Sequence, residues 1–204
     1  MKTILDEAAA GRATIVPWTV EQYQRAIAAG VLPDDPAVEL LDGFIVRKDR
    51  AKAGEDPVTI GDRHRVVVLR LAQCAPRFDA VGSFLQTQQP VSLPPSNEPE
   101  PDAAVARGTI DDYLEHPPTA GDVSAVIEVA DSSLGVDLGP KLRAYAAAGI
   151  AQYLVVDLVN DRVLVHEQPA AGTYSSVASL SRGDVVAIAA AAGRVTVEVD
   201  RLLP

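Results

Sequence analysis

Three charged residues in the second half of the chain have types and positions suited to phosphate chemistry. Glu128 stands near the end of a valine- and isoleucine-rich run, Val123 to Val129, where a charge is out of place unless something needs it. Asp102 follows Pro101 and leads into a second apolar run, Ala103 to Ala106. Lys141 follows Pro140 and is the only lysine in the second half. Two carboxylates side by side repel each other and suit a hard divalent cation with oxygen ligands, Mg²⁺ or Mn²⁺. The Val129 carbonyl, one residue past Glu128, adds a further oxygen. A cation there would acidify bound water and polarise a phosphodiester. Lys141 would stabilise the developing negative charge or orient the water. Tyr145 follows Lys141 by four residues, on the same helix face.

These groups need strands and a helix to position them. Val123 to Val129 reads as a buried strand. Asp102 and Glu128 fall on adjacent strands if the stretch between them is a short excursion. After the Glu128 strand a helix is expected from about Gly139, with Pro140 at its first position and Gly149 as its stop. Asp137 reads as a turn or helix-start residue. Upstream, Thr19 and Gln22 have capping-box spacing, for a helix that carries Tyr23, Ala26 and Ile27 inward and stops at Gly30. Asp42-Gly43 between Glu39-Leu40-Leu41 and Phe44-Ile45-Val46 signals a hairpin. Asp62 is expected to cap a helix over 63–75, with Val66, Val67, Leu69 and Leu71 apolar and Pro76 at its end. Strands are expected at 81–88, 91–93, 153–158, 163–166, 174–180, 185–189 and 195–199, a short helix at 109–115, and a charged mobile loop from Arg47 to Pro57. The pattern is a mixed α/β domain with a central sheet.

Composition narrows the function. The chain has 204 residues, an apolar fraction of 48% and a net charge of −10. Such acidity argues against a broad non-specific grip on nucleic acid and leaves room for a local basic groove. No apolar run nears the roughly 20 residues that span a bilayer, and acids at Asp6 and Glu7 occupy the place of a signal peptide's apolar stretch. A soluble, cytoplasmic protein is expected. The lone Cys74 sits in an apolar helical pattern and reads as core. His116 and His166 read as structural or exposed, and His64 as a helix-start, core or site residue. No Cys/His cluster supports zinc, and no glycine-rich loop supports nucleotide binding.

Val126-Ile127-Glu128-Val129-Ala130-Asp131-Ser132-Ser133-Leu134, followed by Asp137, Lys141, Tyr145, Ala146, Gly149-Ile150, Tyr153 and Val156-Asp157, resembles the Uma-type restriction endonuclease family, a bacterial family long known as a domain of unknown function. The likeness extends to Glu39-Leu40-Leu41-Asp42-Gly43, His64 and Glu98-Pro99-Glu100-Pro101-Asp102. It implies a PD-(D/E)XK, restriction-endonuclease-like fold: a mixed central β-sheet flanked by helices, with the metal site at one sheet edge. It makes Asp102 the first motif acid and Glu128 the second. The motif lysine two residues later is replaced by Ala130, and the resemblance points to Lys141 as its substitute. Glu39 matches an acid associated with the site; His64 and Tyr145 match supporting positions. Where the family often has an acid-Tyr-Trp run, this chain has Gln152-Tyr153-Leu154.

The expectation is therefore a Mg²⁺- or Mn²⁺-dependent endonuclease acting on DNA, a homodimer, with residues 1–18 as an extension and 19–204 as one domain. Asp102, Glu128 and the Val129 carbonyl would hold the cation, and Lys141 would assist the attacking water, with Glu39 a further ligand or base. The competing expectation is a catalytically silent module of the same fold that acts in binding or assembly. A third, hydrolysis of RNA or another phosphoester, uses the same groups.

Overall fold

A computed structural model of the chain describes residues 3–32, 38–47 and 61–204. A short helix α1 (Ile4–Ala9) buries none of its residues. Helix α2 (Val20–Ala28) carries the expected reciprocal capping box: Gln22 N–H donates to Thr19 Oγ1, and the Thr19 amide donates to the Gln22 side chain. It buries Val20 and Tyr23 against Leu40, with Ile27 partly buried beside them, and Ala26 is buried as well. Strands β1 (Val38–Leu41) and β2 (Phe44–Arg47) form the expected antiparallel hairpin. Asp42 and Gly43 at its turn have φ of 50° and 76°, the left-handed pair that a two-residue loop requires. The Trp18 amide donates to the Gly43 carbonyl at 2.9 Å. Apart from Arg47, which ends β2, the charged stretch expected to form a mobile loop lies outside the described residues.

Helix α3 (Asp62–Ala72) departs from expectation at its start: Gly61 is the N-cap and Asp62, already helical, makes no capping bond. The buried positions are Val67, Val68 and Leu71, while Leu69 is exposed; the apolar stripe is rotated by one residue from the expected one. Pro76 does not end this helix. It lies in the first turn of a second one, α4 (Ala75–Asp79), where its missing N–H costs nothing. Cys74 is buried between them, with its thiol on the Arg70 carbonyl.

Eight further strands follow: β3 (Ser83–Gln86), β4 (Ala103–Arg107), β5 (Val123–Ala130), β6 (Gln152–Asp157), β7 (Arg162–Ala170), β8 (Thr173–Leu180), β9 (Val185–Ala190) and β10 (Gly193–Glu198). The expected strand at 91–93 reduces to isolated bridges at Ser92 and Leu93, because the proline-rich segment around it cannot donate a regular ladder. Six strands form one mixed sheet in the order β3-β4-β5-β6-β7-β8, with β5 and β6 parallel and the other neighbours antiparallel. A parallel pair needs a crossover, and residues 131–151 supply it. They contain a single turn α5 (Leu134–Val136), a wide turn over Asp137–Lys141, and helix α6 (Leu142–Ala147). The helix expected from Gly139 thus starts earlier and is interrupted: Gly139, at φ −112° and ψ −105°, is not helical. Gly149, at φ +81°, stops α6 as expected.

Both sheet faces are covered, which explains the near-continuous apolar composition of β5 and β6. One face packs Ile127, Val129, Leu154 and Val156 against α3, the β9–β10 hairpin and a C-terminal turn α7 (Val199–Leu202). Gln152, buried, ties that hairpin to the sheet by donating to the Ala187 carbonyl and accepting from the Ala189 amide. The other face packs Val126, Tyr153 and Val155 against α6. Each fully buried Ile or Leu contributes about 1.5–3 kcal/mol, so the strand carrying Glu128 is firmly held. Among the described residues no helix is long and apolar enough to cross a membrane.

Candidate active site

Alternation along β5 decides where Glu128 points. Ile127 and Val129 enter the α3 face, so Glu128 enters the α6 face with Val126. It is 3% exposed. Asp102 stands one residue before β4 rather than within it. The β4–β5 register pairs Ala103 with Ile127, which sets Asp102 across from Glu128. The Val129 amide donates to Asp102 Oδ2 at 2.8 Å. In an extended strand the carbonyl of a residue faces the same edge as its N–H, so the Val129 carbonyl is presented on the Asp102 side, past the last β4–β5 pair.

Lys141 comes from the wide turn and is 5% exposed. Its Nζ lies 2.9 Å from Glu128 Oε1 and 3.2 Å from Glu39 Oε2. Tyr145, fully buried on α6, donates its hydroxyl to the same Glu128 Oε1 at 2.9 Å. Glu39 reaches the site because β1 is stitched to the segment before Asp102: Leu40 and Glu98 exchange backbone hydrogen bonds, and the Glu100 amide donates to Glu39 Oε2. From the first turn of α3, His64 Nε2–H donates to Asp102 Oδ2 at 3.0 Å, while its Nδ1 is buried without a partner among the described residues. Six sequence-predicted residues, Glu39, His64, Asp102, Glu128, Lys141 and Tyr145, thus meet in one place.

Asp137 joins them, although by its place in the sequence it reads as a turn or helix-start residue. It is 2% exposed, accepts from Ser133 Oγ at 2.6 Å, and its backbone carbonyl accepts from the Tyr153 hydroxyl at 3.0 Å. The signal was in the spacing: Ser133, Asp137, Lys141 and Tyr145 recur every four residues, one face of a helical crossover. The expectation that Pro140 opens the helix concealed it.

Four carboxylates surround one ammonium, and they do not ionise alike. Burial, only partly offset by Lys141 and reinforced by Asp137, Asp102 and Glu39, pushes Glu128 up to about 8. Burial likewise raises Asp137 to about 6, against the pull of Lys141 and Ser133. Burial opposes the charge of Asp102 too, but the hydrogen bonds from His64 and Val129 and the nearby Lys141 hold it below the ordinary carboxylate value. Lys141 is itself desolvated, yet Glu128, Glu39 and Asp137 keep its pKa above that of a free lysine. Burial and the adjacent Glu128 raise the Tyr145 phenol well beyond its usual value, so it remains a donor.

The donor set bears on the expected cation. Among the described residues no three Asp, Glu, His or Cys side chains form a ready metal-binding group. Asp102, Glu128 and the Val129 carbonyl nevertheless offer only oxygen, which fits a hard cation that keeps several of its waters, as Mg²⁺ does. A buried aromatic layer underlies the site, with Tyr145 and Tyr153 ring centroids 5.0 Å apart and His166 and Tyr174 packed beyond. His166 is therefore structural, and His116 is exposed.

Comparison with known proteins agrees with this architecture. No curated protein matches the chain. Among solved structures, a "putative nuclease belonging to DUF820" from Anabaena variabilis ATCC 29413 is similar, with a TM-score of 0.63 and 15% sequence identity over 91% of this chain and 97% of that one. The shared fold is the mixed central sheet flanked by helices. Residues 20–199 match the Uma2 family model, described as "Putative restriction endonuclease", and the chain belongs to that family.

Proposed function

We propose that the chain is a metal-dependent endonuclease that hydrolyses DNA phosphodiester bonds. The observation that carries this reading is the convergence of a buried lysine with two carboxylates of opposed protonation tendency, Asp102 low and Glu128 high, at adjoining strand ends. Membership of the Uma2 family favours the same chemistry. Asp102, Glu128 and the Val129 carbonyl would hold Mg²⁺ or Mn²⁺. When bound, the cation supplies acidification of water and polarisation of the phosphodiester.

The chain's own residues do the rest. Lys141, fixed between Glu39 and Glu128, orients the attacking water and offsets negative charge that develops on the phosphoryl oxygens. Glu39 holds that ammonium and is placed to take a proton from water. His64 and the Val129 amide fix Asp102, and Tyr145 fixes Glu128. The reading places residues 19–204 in one domain, with 1–18 as an extension, and takes the protein to work in the cytoplasm as a homodimer.

The test is cleavage of plasmid DNA with Mg²⁺ or Mn²⁺, by wild type and by Asp102→Asn and Glu128→Gln. Both variants should stay folded and lose cleavage. Retained cleavage in both would refute the assignment, and cleavage of RNA alone would redirect the substrate. A second reading, a silent nuclease-fold module acting in binding or assembly, is favoured by one observation: the Lys141 ammonium already satisfies Glu39 and Glu128. On that reading no divalent cation shifts the thermal melt.

A further inference from the structure

Strand β8 closes one side of the main sheet and is paired on its inner side only, to β7. Every other residue of such a strand turns its N–H and C=O outward. Among the described residues no backbone hydrogen bond joins those groups to another element. The eight residues of Thr173–Leu180 include no charged side chain and no proline, in a chain where 23% of residues are charged. Exposed edges are ordinarily blunted by shortness, by proline or by charge, lysine above all. The opposite edge conforms, for β3 is only four residues long. β8 instead pairs without a break over Ser176–Leu180 and leaves Val177 58% exposed near its middle.

We propose that β8 is an interface between two copies of this chain: it pairs antiparallel with β8 of a second copy about a two-fold axis at Val177, joining two six-stranded sheets into one. Two grounds favour a second copy over an unrelated strand. The first is charge. Each copy carries a net charge of −10 and repels the next, so contact belongs where charge is absent, and β8 offers an uncharged strand from both sides. The second is self-complementarity, which a two-fold contact requires. Val177 of each copy would cover the other, and Ser176 would stand opposite Ala178, so no bulky or like-charged pair meets across the axis. An antiparallel two-fold runs through the sheet. The strand ends that carry Asp102 and Glu128 therefore point opposite ways in the two copies, and each site works alone. The interface gives the homodimer put forward above its surface and does not depend on the chemistry of the site.

Sedimentation equilibrium of the full chain over a dilution series tests this, on wild type, Val177→Thr and Val177→Lys. Wild type and Val177→Thr should dimerise. Val177→Lys sets two ammonium groups against each other at the axis and should raise the dimer dissociation constant by about tenfold or more. Amide exchange is the second readout. In concentrated wild type the outward-facing amides of β8, alternate in sequence, should be protected; dilution or Val177→Lys should release them while β5 and β6 stay protected. A wild type that stays monomeric at every concentration, or a Val177→Lys dimer as tight as that of wild type, would overturn the interface. If Val177→Lys does not fold, as circular dichroism would show, exchange in concentrated against dilute wild type decides. Where wild type cleaves DNA, Val177→Lys should cleave as fast per copy, and cleavage lost with the dimer would overturn the antiparallel arrangement. Dimerisation without any cleavage would uphold the interface and count against the nuclease reading alone.

Discussion

Lys141 Nζ sits 2.9 Å from Glu128 Oε1, and neither residue is more than 5% exposed. Removing one partner of a buried pair leaves the other charge uncompensated, at a cost of about 3–5 kcal/mol. Lys141→Met should lose about that much in urea unfolding at pH 9, where Glu128 is ionised. At pH 6 a proton on Glu128 takes over the neutralisation, and the loss should shrink. An equal loss at both pH values would mean that the contribution of the lysine does not run through the charge on Glu128, and would leave its pairing with Glu39 as the source.

The raised carboxyls fix the sign of a pH dependence. A folded pKa above the unfolded value means the native state binds more protons between the two, so stability falls as pH rises. For Glu128 that window runs from its ordinary 4.5 to about 8, and for Asp137 from 3.8 to about 6. Asp102, depressed, acts oppositely and only in acid: it stabilises above 3.8 and that stability is lost as pH falls through its lowered value. With chelator present, unfolding free energy should therefore decline from pH 5 to pH 8. Glu128→Gln should flatten the decline above pH 6, where Asp137 no longer titrates.

Tyr145→Phe deletes only a hydroxyl. Its hydrogen bond to a buried carboxyl belongs to the class worth about 1.5–3 kcal/mol when the partner is charged and nearer 1 when neutral. Chemical denaturation should show a larger loss at pH 9 than at pH 6, with the midpoint shifted and the slope unchanged.

Local features of this fold were legible wherever one residue type has one stereochemical use. Asp42-Gly43 announced the hairpin, Thr19 and Gln22 the cap, the Val123–Val129 run a doubly covered strand, and Gly149 a helix stop. Reading failed where two signals competed. Pro76 suits either the end of one helix or the start of the next, and tertiary packing chose the start. Pro140 suits a first helical turn, but here it lies inside a wide turn that displaces Lys141 and buries Asp137. The meeting of Glu39 with Lys141, 102 residues apart by their numbers, depends on β1 pairing with the segment before Asp102, which no local spacing encodes. Resemblance to a family, rather than periodicity, pointed to Glu39 and His64.

Gly43 joins the hairpin to the segment before α2. At φ +76° it adopts a backbone conformation costly for other residues, and an added Cβ would collide with the Pro17 ring carbon. Gly43→Val should cost at least about 1–2 kcal/mol and should loosen β1, which carries Glu39. Amide exchange should accelerate in β1 and β2 while β5 and β6 stay protected; uniform acceleration would show that the hairpin is not a separate unit of stability.

Trp18 is the single tryptophan of the chain, 38% exposed, and its amide is bonded to the Gly43 carbonyl at the hairpin turn. The protein therefore carries a built-in optical probe at the one strand pair that delivers Glu39. Its emission reads the docking of that hairpin separately from the tyrosine-rich layer beneath Glu128, so the two halves of the carboxylate cluster can be followed as distinct signals in one unlabelled sample.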